Sequence, residues 1–483
     1  MRRIRPMLML GILLLTTSLP AAEERPNILF ILTDDQAPWA LGLSGHPHAH
    51  TPHLDELFQS GAYLPNSFTV TPVCSPSRVS TLTGRYGSEM GITDWLNPRV
   101  EPDHGIEPGI PTWPEELRKT GYQTALIGKW HLGLLDSQHP TQFGYVDFMG
   151  FRGGGTSPFR PTLEVDGSTQ TVNGLTTDIL TDEAIRWLRL YEKKDGPFAL
   201  SLHYRAPHAR WLPVRDEDWA PFDGLDPELP HPDYPDLKVE DIKRRTREYL
   251  ASVAGVDRNV GKLLEELQLL QLHENTIVIY TSDHGYNMGH NGIWHKGNGH
   301  WIVNTPPPAT ENIPRGQRPN MYDHSIRVPT AIRWPGVIEA DTIIDETVSN
   351  LDWFPTILSM ANIPISDDLT LRGHDLTPLL KGDQIEWDND FYGEYTTKHQ
   401  SKTKMRMYRT PLWKLIRDFG NPERDELYDL KNDPEERTNL YNSDDPEVQE
   451  TIRELSRKMS REMQALNDPV WTQRQGGVSS ESE

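Results

Sequence analysis

The stretch NILFILTDD, Asn27 to Asp35, sets an unbroken apolar run directly against two carboxylates. An apolar run of strand length, with no polar alternation, has both faces buried, the pattern of a strand inside a parallel sheet. Three further stretches repeat the arrangement. Thr276-Ile-Val-Ile-Tyr280 runs into Ser282-Asp283-His284-Gly285, and Phe198-Ala-Leu-Ser-Leu202 into His203-Tyr204-Arg205-Ala206-Pro207-His208. Thr124-Ala-Leu-Ile127 leads to Gly128-Lys129-Trp130-His131. Four strands therefore each deliver ionisable residues just past their carboxyl ends.

Helical patterns lie between these runs. Tyr249, Val253, Val256, Val260, Leu263 and Leu267 recur at four- and three-residue steps, and Ile179 to Leu190 reads as a second helix. Strands alternating with helices predict an α/β fold, a large mostly parallel sheet sandwiched by helices. Ligands of such sheets bind beyond the carboxyl ends of the strands, so the four polar clusters should meet in one crevice.

The texture changes after residue 384. Asp390 to Tyr395, Met405 to Tyr408 and Trp413 to Ile416 alternate like strands of a small antiparallel sheet. Ile452, Leu455, Met459, Met463 and Leu466 form one stripe of a final helix. The expected division is a signal peptide at 1–22, a catalytic α/β domain at 23–384, a C-terminal α+β subdomain at 385–471, and a disordered tail at 472–483. Trp301 to Asn320, rich in proline, reads as a long surface loop. Phe151-Arg-Gly-Gly-Gly155 lacks the strand–glycine–helix context of a phosphate cradle and reads as a flexible loop near the site mouth.

Arg2, Arg3 and Arg5 followed by MLMLGILLL give the charged start and short apolar centre of a secretory signal, too short to span a bilayer. The chain should be exported, periplasmic or secreted, with no stable membrane anchor. Its formal net charge is −22, and about −25 once the leader's three arginines are removed. Nucleic acid is thereby excluded as a general partner, since phosphate contacts need Lys and Arg. An anionic small substrate remains open, provided basic residues gather at one place.

Adjacent carboxylates at a buried strand end repel unless something positive sits with them. Asp34 and Asp35 alone would cap a following helix; matched with Asp283 and His284 at a second strand end, they read as ligands. Oxygen-rich ligation suits a hard divalent cation, Ca²⁺ ahead of Mg²⁺ or Mn²⁺. The topology sends Lys129, His131, His208 and Lys296 to the same crevice, supplying the local positive charge.

One cysteine, Cys74, stands in the whole chain. It cannot form an internal disulfide, and on its own it would read as a small buried hydrophobe. Its neighbours change that. Cys74-Ser-Pro-Ser-Arg78, continued by Leu82-Thr-Gly-Arg85, resembles the signature of the type I sulfatases of the alkaline phosphatase superfamily over all twelve residues. ILTDDQ, IGKWHLG, APHARW, SDHGYNMG and Glu426 to Leu440 resemble further family segments in order.

The resemblance implies an alkaline phosphatase-like fold and hydrolysis of sulfate esters. It implies that Cys74 is oxidised to formylglycine (3-oxoalanine) by a formylglycine-generating or anaerobic sulfatase-maturating enzyme, which explains an unpaired thiol in an exported chain. A hydrated aldehyde has two hydroxyls: one attacks sulfur, and the other expels sulfate as the carbonyl reforms. By the same resemblance Asp34, Asp35, Asp283 and His284 hold Ca²⁺ together with the modified Cys74, although His284 stands where relatives often carry Asn. Arg78 orients the nucleophile, and Lys129 and Lys296 bind sulfate oxygens. His131 takes a proton, and His208 protonates the leaving alcohol.

Arg205, Arg210, Trp211 and His295 flank these positions and are the candidate contacts to a sulfated carbohydrate. The alternative substrate is a phosphonate monoester or phosphodiester, hydrolysed on the same superfamily's machinery. A non-catalytic binding protein would have lost part of the set, and here every position is filled.

Overall fold

The computed structural model describes residues 25–191, 194 and 196–472. The expected signal peptide and residues 473–483 of the expected tail lie outside the described residues. Four strands form the middle of a ten-stranded sheet: β1 (Asn27–Thr33), β2 (Gln123–Lys129), β3 (Phe198–His203) and β4 (Thr276–Ser282). They lie in the order β4-β1-β3-β2, and every neighbouring pair is parallel. Asp147–Phe151 extends the parallel run beyond β2, while Ala331–Arg333 joins β4 antiparallel.

The register explains the convergence anticipated above. Thr33 lies opposite Ser282, Leu32 opposite His203, and His203 opposite Gly128. The four strands thus finish level, and the residues that follow emerge along one edge. All seven residues of β1 and of β4 are buried. Each large apolar side chain removed from water there contributes about 1.5–3 kcal/mol, which fixes the strands and so the polar groups they carry.

Both expected helices are present and longer than their stripes. Val239–Leu269 carries the buried stripe from Tyr249 to Leu267, and Thr176–Tyr191 contains the second. Two apolar clusters sandwich the sheet: Phe30, Leu126 and Trp353 belong to one, and Leu29, Leu200 and Val260 to the other.

A separate antiparallel sheet follows: Phe391–Thr397, Thr403–Arg409, Trp413–Asp418 and Glu426–Asp429. Its fourth strand lies within the Glu426 to Leu440 segment, where periodicity alone marked none. Pro446–Ala465 forms the final helix, started by Asp445, whose side chain accepts from the N–H groups of Glu447 and Val448. Leu455, Met459 and Met463 are its buried residues. Tyr392 and Met407 of the small sheet share one apolar cluster with Phe68, Val73 and Tyr86, so the sheet presses against the segment that carries Cys74.

The proline-rich segment is a surface loop only in its middle. Thr305 to Glu311 is largely exposed, but Ile302, Val303, Ile313 and Asn320 are buried. The ends turn inward because His300–Trp301 pairs with Ile293–Trp294 and the Asn320 amide donates to the Lys296 carbonyl at 3.2 Å.

Candidate active site

Asp34 and Asp35 leave β1, and Asp283 and His284 leave β4; all four are fully buried. The Asp283 N–H donates to the Thr33 carbonyl at 3.0 Å, tying the two strand ends together. Asp35 sits at φ 72, a left-handed conformation that costs a non-glycine residue on the order of 1–3 kcal/mol. It is held there by its N–H to Asp283 Oδ1 at 3.2 Å and by the Tyr249 hydroxyl donating to its carbonyl at 2.8 Å. The two acids therefore line a site and do not cap a helix.

Cys74 is the first residue of the helix Cys74–Thr83, and every residue of that helix is buried. Gly84 ends it in a left-handed conformation at φ 65, and a Cβ there would lie 3.1 Å from Leu371 Cδ2 and 3.2 Å from Phe354 Cβ. The glycine of the Leu82-Thr-Gly-Arg85 motif is thus a helix stop where a side chain would be strained and would crowd Leu371 and Phe354. One turn into the helix, Ser77 Oγ donates to the Asp283 carbonyl, and Arg78 Nε donates to Asp283 Oδ2 at 2.9 Å. Arg78 Nη1 also reaches the Lys129 carbonyl at 3.2 Å.

The Cys74 sulfur is the meeting point. It lies 3.5 Å from Asp34 Oδ1, 3.4 Å from His284 Nε2 and 3.0 Å from Lys296 Nζ. Lys129 Nζ donates to Asp34 Oδ2 at 2.5 Å, and Lys296 Nζ to Asp35 Oδ1 at 2.6 Å. Burial pushes the Cys74 thiol up to about 12 against the pull of Lys129 and Lys296, so as a plain cysteine it stays protonated and unreactive.

The acids respond differently to burial. For Asp34 burial is opposed by Lys129, His208, Arg78 and Lys296, which hold its carboxyl well below the usual range. For Asp35 burial wins over Lys296 and His284, and its carboxyl is raised. Asp35 Oδ2 is also buried without a hydrogen-bond partner among the described residues.

This donor set fits a divalent cation. One atom each from Asp34, Asp35, Cys74 and His284 lie within 4.8 Å of one another. His284 Nδ1 donates to the Gly285 carbonyl at 3.0 Å, which leaves the Nε2 lone pair for the cluster. Asp283 stands beside the group, with Oδ1 3.3 Å from His284 Nε2 and Oδ2 held by Arg78. An uncompensated carboxylate oxygen on Asp35 is what an added cation would satisfy.

Above the cysteine opens a cavity of about 440 Å³, in the usual range for small-molecule sites. Of the expected residues, Cys74, His131, His208, His295 and Lys296 line it. Lys129 does not: it is wholly buried beneath, on Asp34. His131 Nε2 faces the Leu96 carbonyl at 3.2 Å, and its Nδ1 has no partner among the described residues. Burial, then Lys129 and Arg78, keep this imidazole neutral, far below its ordinary value. Burial likewise depresses His208, whose Nδ1 lies 2.7 Å from the Ala209 carbonyl.

Three expected substrate contacts lie elsewhere. Arg205 is buried, with its guanidinium donating to the carbonyls of Thr156 at 2.9 Å and Arg210 at 2.7 Å, so it staples loops. Trp211 is buried edge-on against Tyr249 and Tyr286 and offers no open face. Arg210 is exposed and is not among the residues that line the cavity.

The rim is made instead by Trp95, Asn97, Arg99 and Asn298, with Gly154 and Gly155 opposite. A Cβ on Gly154 would stand 2.6 Å from His131 Nε2, so only glycine lets this loop approach. The glycine segment does lie at the mouth, as expected. No strand or periodic run precedes Trp95 to Arg99, so nothing in the sequence marks that segment as part of a site.

A level row of strand ends carrying buried carboxylates, two lysines and a shielded cysteine beneath an open cavity defines a hydrolase of anionic esters. The sulfatase family model matches residues 26–363, and the model of the N-sulphoglucosamine sulphohydrolase C-terminal region matches residues 317–465. The chain belongs to the sulfatase family, whose members are sulfuric ester hydrolases.

It is 27% identical over 505 residues to the N-acetylglucosamine-6-O-sulfatase of Bacteroides thetaiotaomicron, covering 87% of this chain and 84% of that one. A structure solved with its substrate, D-glucosamine-2-N,6-O-disulfate, superposes with a TM-score of 0.78 at 25% identity, covering 92% and 99% of the two chains. The phosphonate monoester hydrolase of Agrobacterium radiobacter, at 20% identity, TM-score 0.70 and coverage of 92% and 96%, shares the fold. No helix among the described residues is long and apolar enough to cross a membrane.

Proposed function

We infer that the protein is an exported sulfatase that releases inorganic sulfate from a sulfated carbohydrate, with a formylglycine made from Cys74 and a bound Ca²⁺. The observation that carries this reading is the position of Cys74, shielded at the cavity floor among Asp34, His284 and Lys296 with its thiol pushed up to about 12. A thiol held protonated at this position is a poor nucleophile, which supports conversion of the residue to the aldehyde. The charged start and apolar centre of residues 1–22 support export to the periplasm or beyond.

Formylglycine, hydrated, supplies one hydroxyl to attack sulfur and a second whose loss of a proton expels sulfate. Asp34, Asp35, residue 74 and His284, with Asp283 beside them, would hold the cation, which offsets charge on the sulfuryl group. The chain's own groups do the rest. Arg78 fixes Asp283 and keeps one guanidinium nitrogen, Nη2, free of partners among the described residues. Lys296 reaches the cavity and is the cation for a sulfate oxygen. Lys129, locked on Asp34, keeps that carboxylate ionised.

His131 donates through Nε2 to Leu96 and so carries its lone pair on Nδ1, the form of a base. His208 donates through Nδ1 to Ala209, leaving Nε2 as the atom that must gain a proton before passing it to the leaving alcohol. An anionic ester beside it favours that protonation. Trp95, Asn97, Arg99, His295 and Asn298 give a rim of two flat rings and several hydrogen-bonding groups, the chemistry that recognises a sugar.

The test is twofold. The Cys74 peptide from the native host should show the mass of an aldehyde and react with a carbonyl reagent. Sulfated hexosamines and sulfated oligosaccharides should be turned over faster than matched phosphate esters. An unmodified thiol in active protein would overturn the mechanism, and turnover of aryl sulfates alone would overturn the substrate class.

A further inference from the structure

A second cluster of metal-ligand side chains lies outside the cavity. His290, His324 and Glu435 each place one donor atom within 4.8 Å of the other two. They come from three separate segments: the turn His290–Gly292, the helical turn Asp323–Ile326 and the chain beyond the Glu426–Asp429 strand. The geometry points to a second divalent-metal site, of zinc type, joining the catalytic sheet to the C-terminal segment.

The hydrogen bonds assign the donor atoms. His290 Nδ1 faces the Asn287 carbonyl and must carry its proton there, so the lone pair is on Nε2. Carbonyl-oriented imidazoles of this kind are the usual metal-binding form. His324 Nε2 lies 2.8 Å from Glu435 Oε2 and shares that carboxylate. The rings of His290 and His324 stack with centroids 3.6 Å apart at 27°, so an ion held by both imidazoles would turn the two rings apart. His231 plays a different part. Its Nδ1 accepts from the Asn291 N–H at 3.0 Å, so Nε2 carries the proton it donates to Glu435 Oε2 at 3.1 Å. It orients the carboxylate from outside and cannot ligate.

The supports of the cluster are rigid. Lys414 is an ion-pair partner of both Asp323, at 2.9 Å, and Glu436, at 2.6 Å, and these acids neighbour His324 and Glu435. Donor atoms of a tetrahedral site with bonds of 2.0–2.1 Å stand roughly 3.3 Å apart, so the His324–Glu435 pair, at 2.8 Å, opens slightly while His290 stays within its 4.8 Å reach. Two imidazoles and one carboxylate favour Zn²⁺ over the hard cation suited to the carboxylate-rich first site. The side chains of His324 and Glu435 are 18% and 47% exposed, which admits the ion and leaves a fourth position for water. Binding displaces the proton that His324 now donates to Glu435. The Glu435 carboxyl is already held well below the usual range by the hydrogen bonds from His231 and His324, and burial keeps His290 neutral.

The experiment is a Co²⁺ titration of the purified full chain in excess Ca²⁺, read by visible absorption and by metal content after gel filtration. One equivalent should bind with the intense bands of tetrahedral cobalt. The bands should vanish in Glu435→Gln and His324→Ala, persist in Cys74→Ala, and weaken in affinity about 10–100-fold in His231→Asn. Glu435→Gln changes a half-exposed side chain and tests the site without threatening the fold. Absence of the bands in wild type, their survival in both ligand variants, or their loss in Cys74→Ala would overturn the proposal.

Discussion

On the floor of the cavity Asp34, Asp35, Asp283 and His284 are wholly buried, and each stands within two residues of a strand end. On the rim Trp95 and Asn97 are half-buried, Arg99 is exposed, and their turn hangs on the C-terminal sheet. The floor is a closed charge system in which three carboxylates are met by Lys129, Lys296 and Arg78. The rim is polar but uncommitted. A low-dielectric floor makes each interaction large and each loss severe, while rim contacts, made closer to water, are weaker and act through binding. Chemistry and selectivity should therefore separate under mutation.

The largest effect is expected from Cys74→Ala, which removes the only possible formylglycine. Activity should fall about 10⁴-fold or more, as for other nucleophile deletions. The melting temperature should stay close to wild type, because the change trims one small group from the first turn of an otherwise intact helix. Residual turnover near wild type would show that the floor acts without residue 74 and would dissolve the contrast with the rim.

His208→Gln should cost about 10²–10⁴ in kcat on sugar sulfates and less on aryl sulfates with good leaving groups. The pH dependence has a definite sign. His208 must be protonated to act, and burial lowers its pKa in the free protein. Its protonated fraction in the free protein is therefore lost as pH rises through a value below the ordinary imidazole range. A bound anionic ester raises that value. The alkaline limb of kcat should thus lie at higher pH than that of kcat/KM, and both limbs should disappear in His208→Gln. Coincident limbs would remove His208 from the acid role.

On the rim, Arg99→Ala should lower kcat/KM about 10–100-fold on a carboxylated or doubly sulfated sugar, through KM, as expected for a hydrogen bond to a charged group. On a neutral singly sulfated sugar the change should be slight. An equal loss in kcat on both substrates would make Arg99 part of the floor.

The same contrast decides what was legible in the sequence. Asp34, Asp283 and Lys129 are adjacent to apolar runs, and a strand's end fixes the place of the next residue, so local pattern carried them to one edge. Cys74 and Arg78 carried their own signature. Arg205, Arg210 and Trp211 also follow a strand, yet the chain there turns into the protein: Arg205 is consumed by two carbonyls and Trp211 by two tyrosines. Nothing in a linear string distinguishes a tryptophan facing a cavity from one facing Tyr249. Asn298 and Arg99 line one cavity from distant parts of the chain, and one loop of the small sheet reaches both neighbourhoods, with Gln400 at Asn298 and His399 at Trp95.

That docking yields the smallest expected effect. His399, in the loop between the first two strands of the small sheet, lies with Nε2 3.0 Å from the Trp95 carbonyl and 3.1 Å from Glu101 Oε1, and its ring is 4.9 Å from that of Trp95. The neighbouring Lys398 N–H donates to Asp94 Oδ2 at 2.7 Å, and Asp94 Oδ1 accepts from the Trp95 N–H at 2.9 Å. The Trp95 ring is thus aimed by a loop that touches no reacting atom. Removing one such bond loses about 1 kcal/mol, or roughly five-fold. His399→Ala should raise KM by that factor on sugar substrates, leave kcat and the pH profile unchanged, and leave small aryl sulfates unaffected. His399→Gln, which keeps a donor for the Trp95 carbonyl, should recover most of the loss. A fall in kcat with the small substrate would mean that the C-terminal sheet holds the floor as well as the rim.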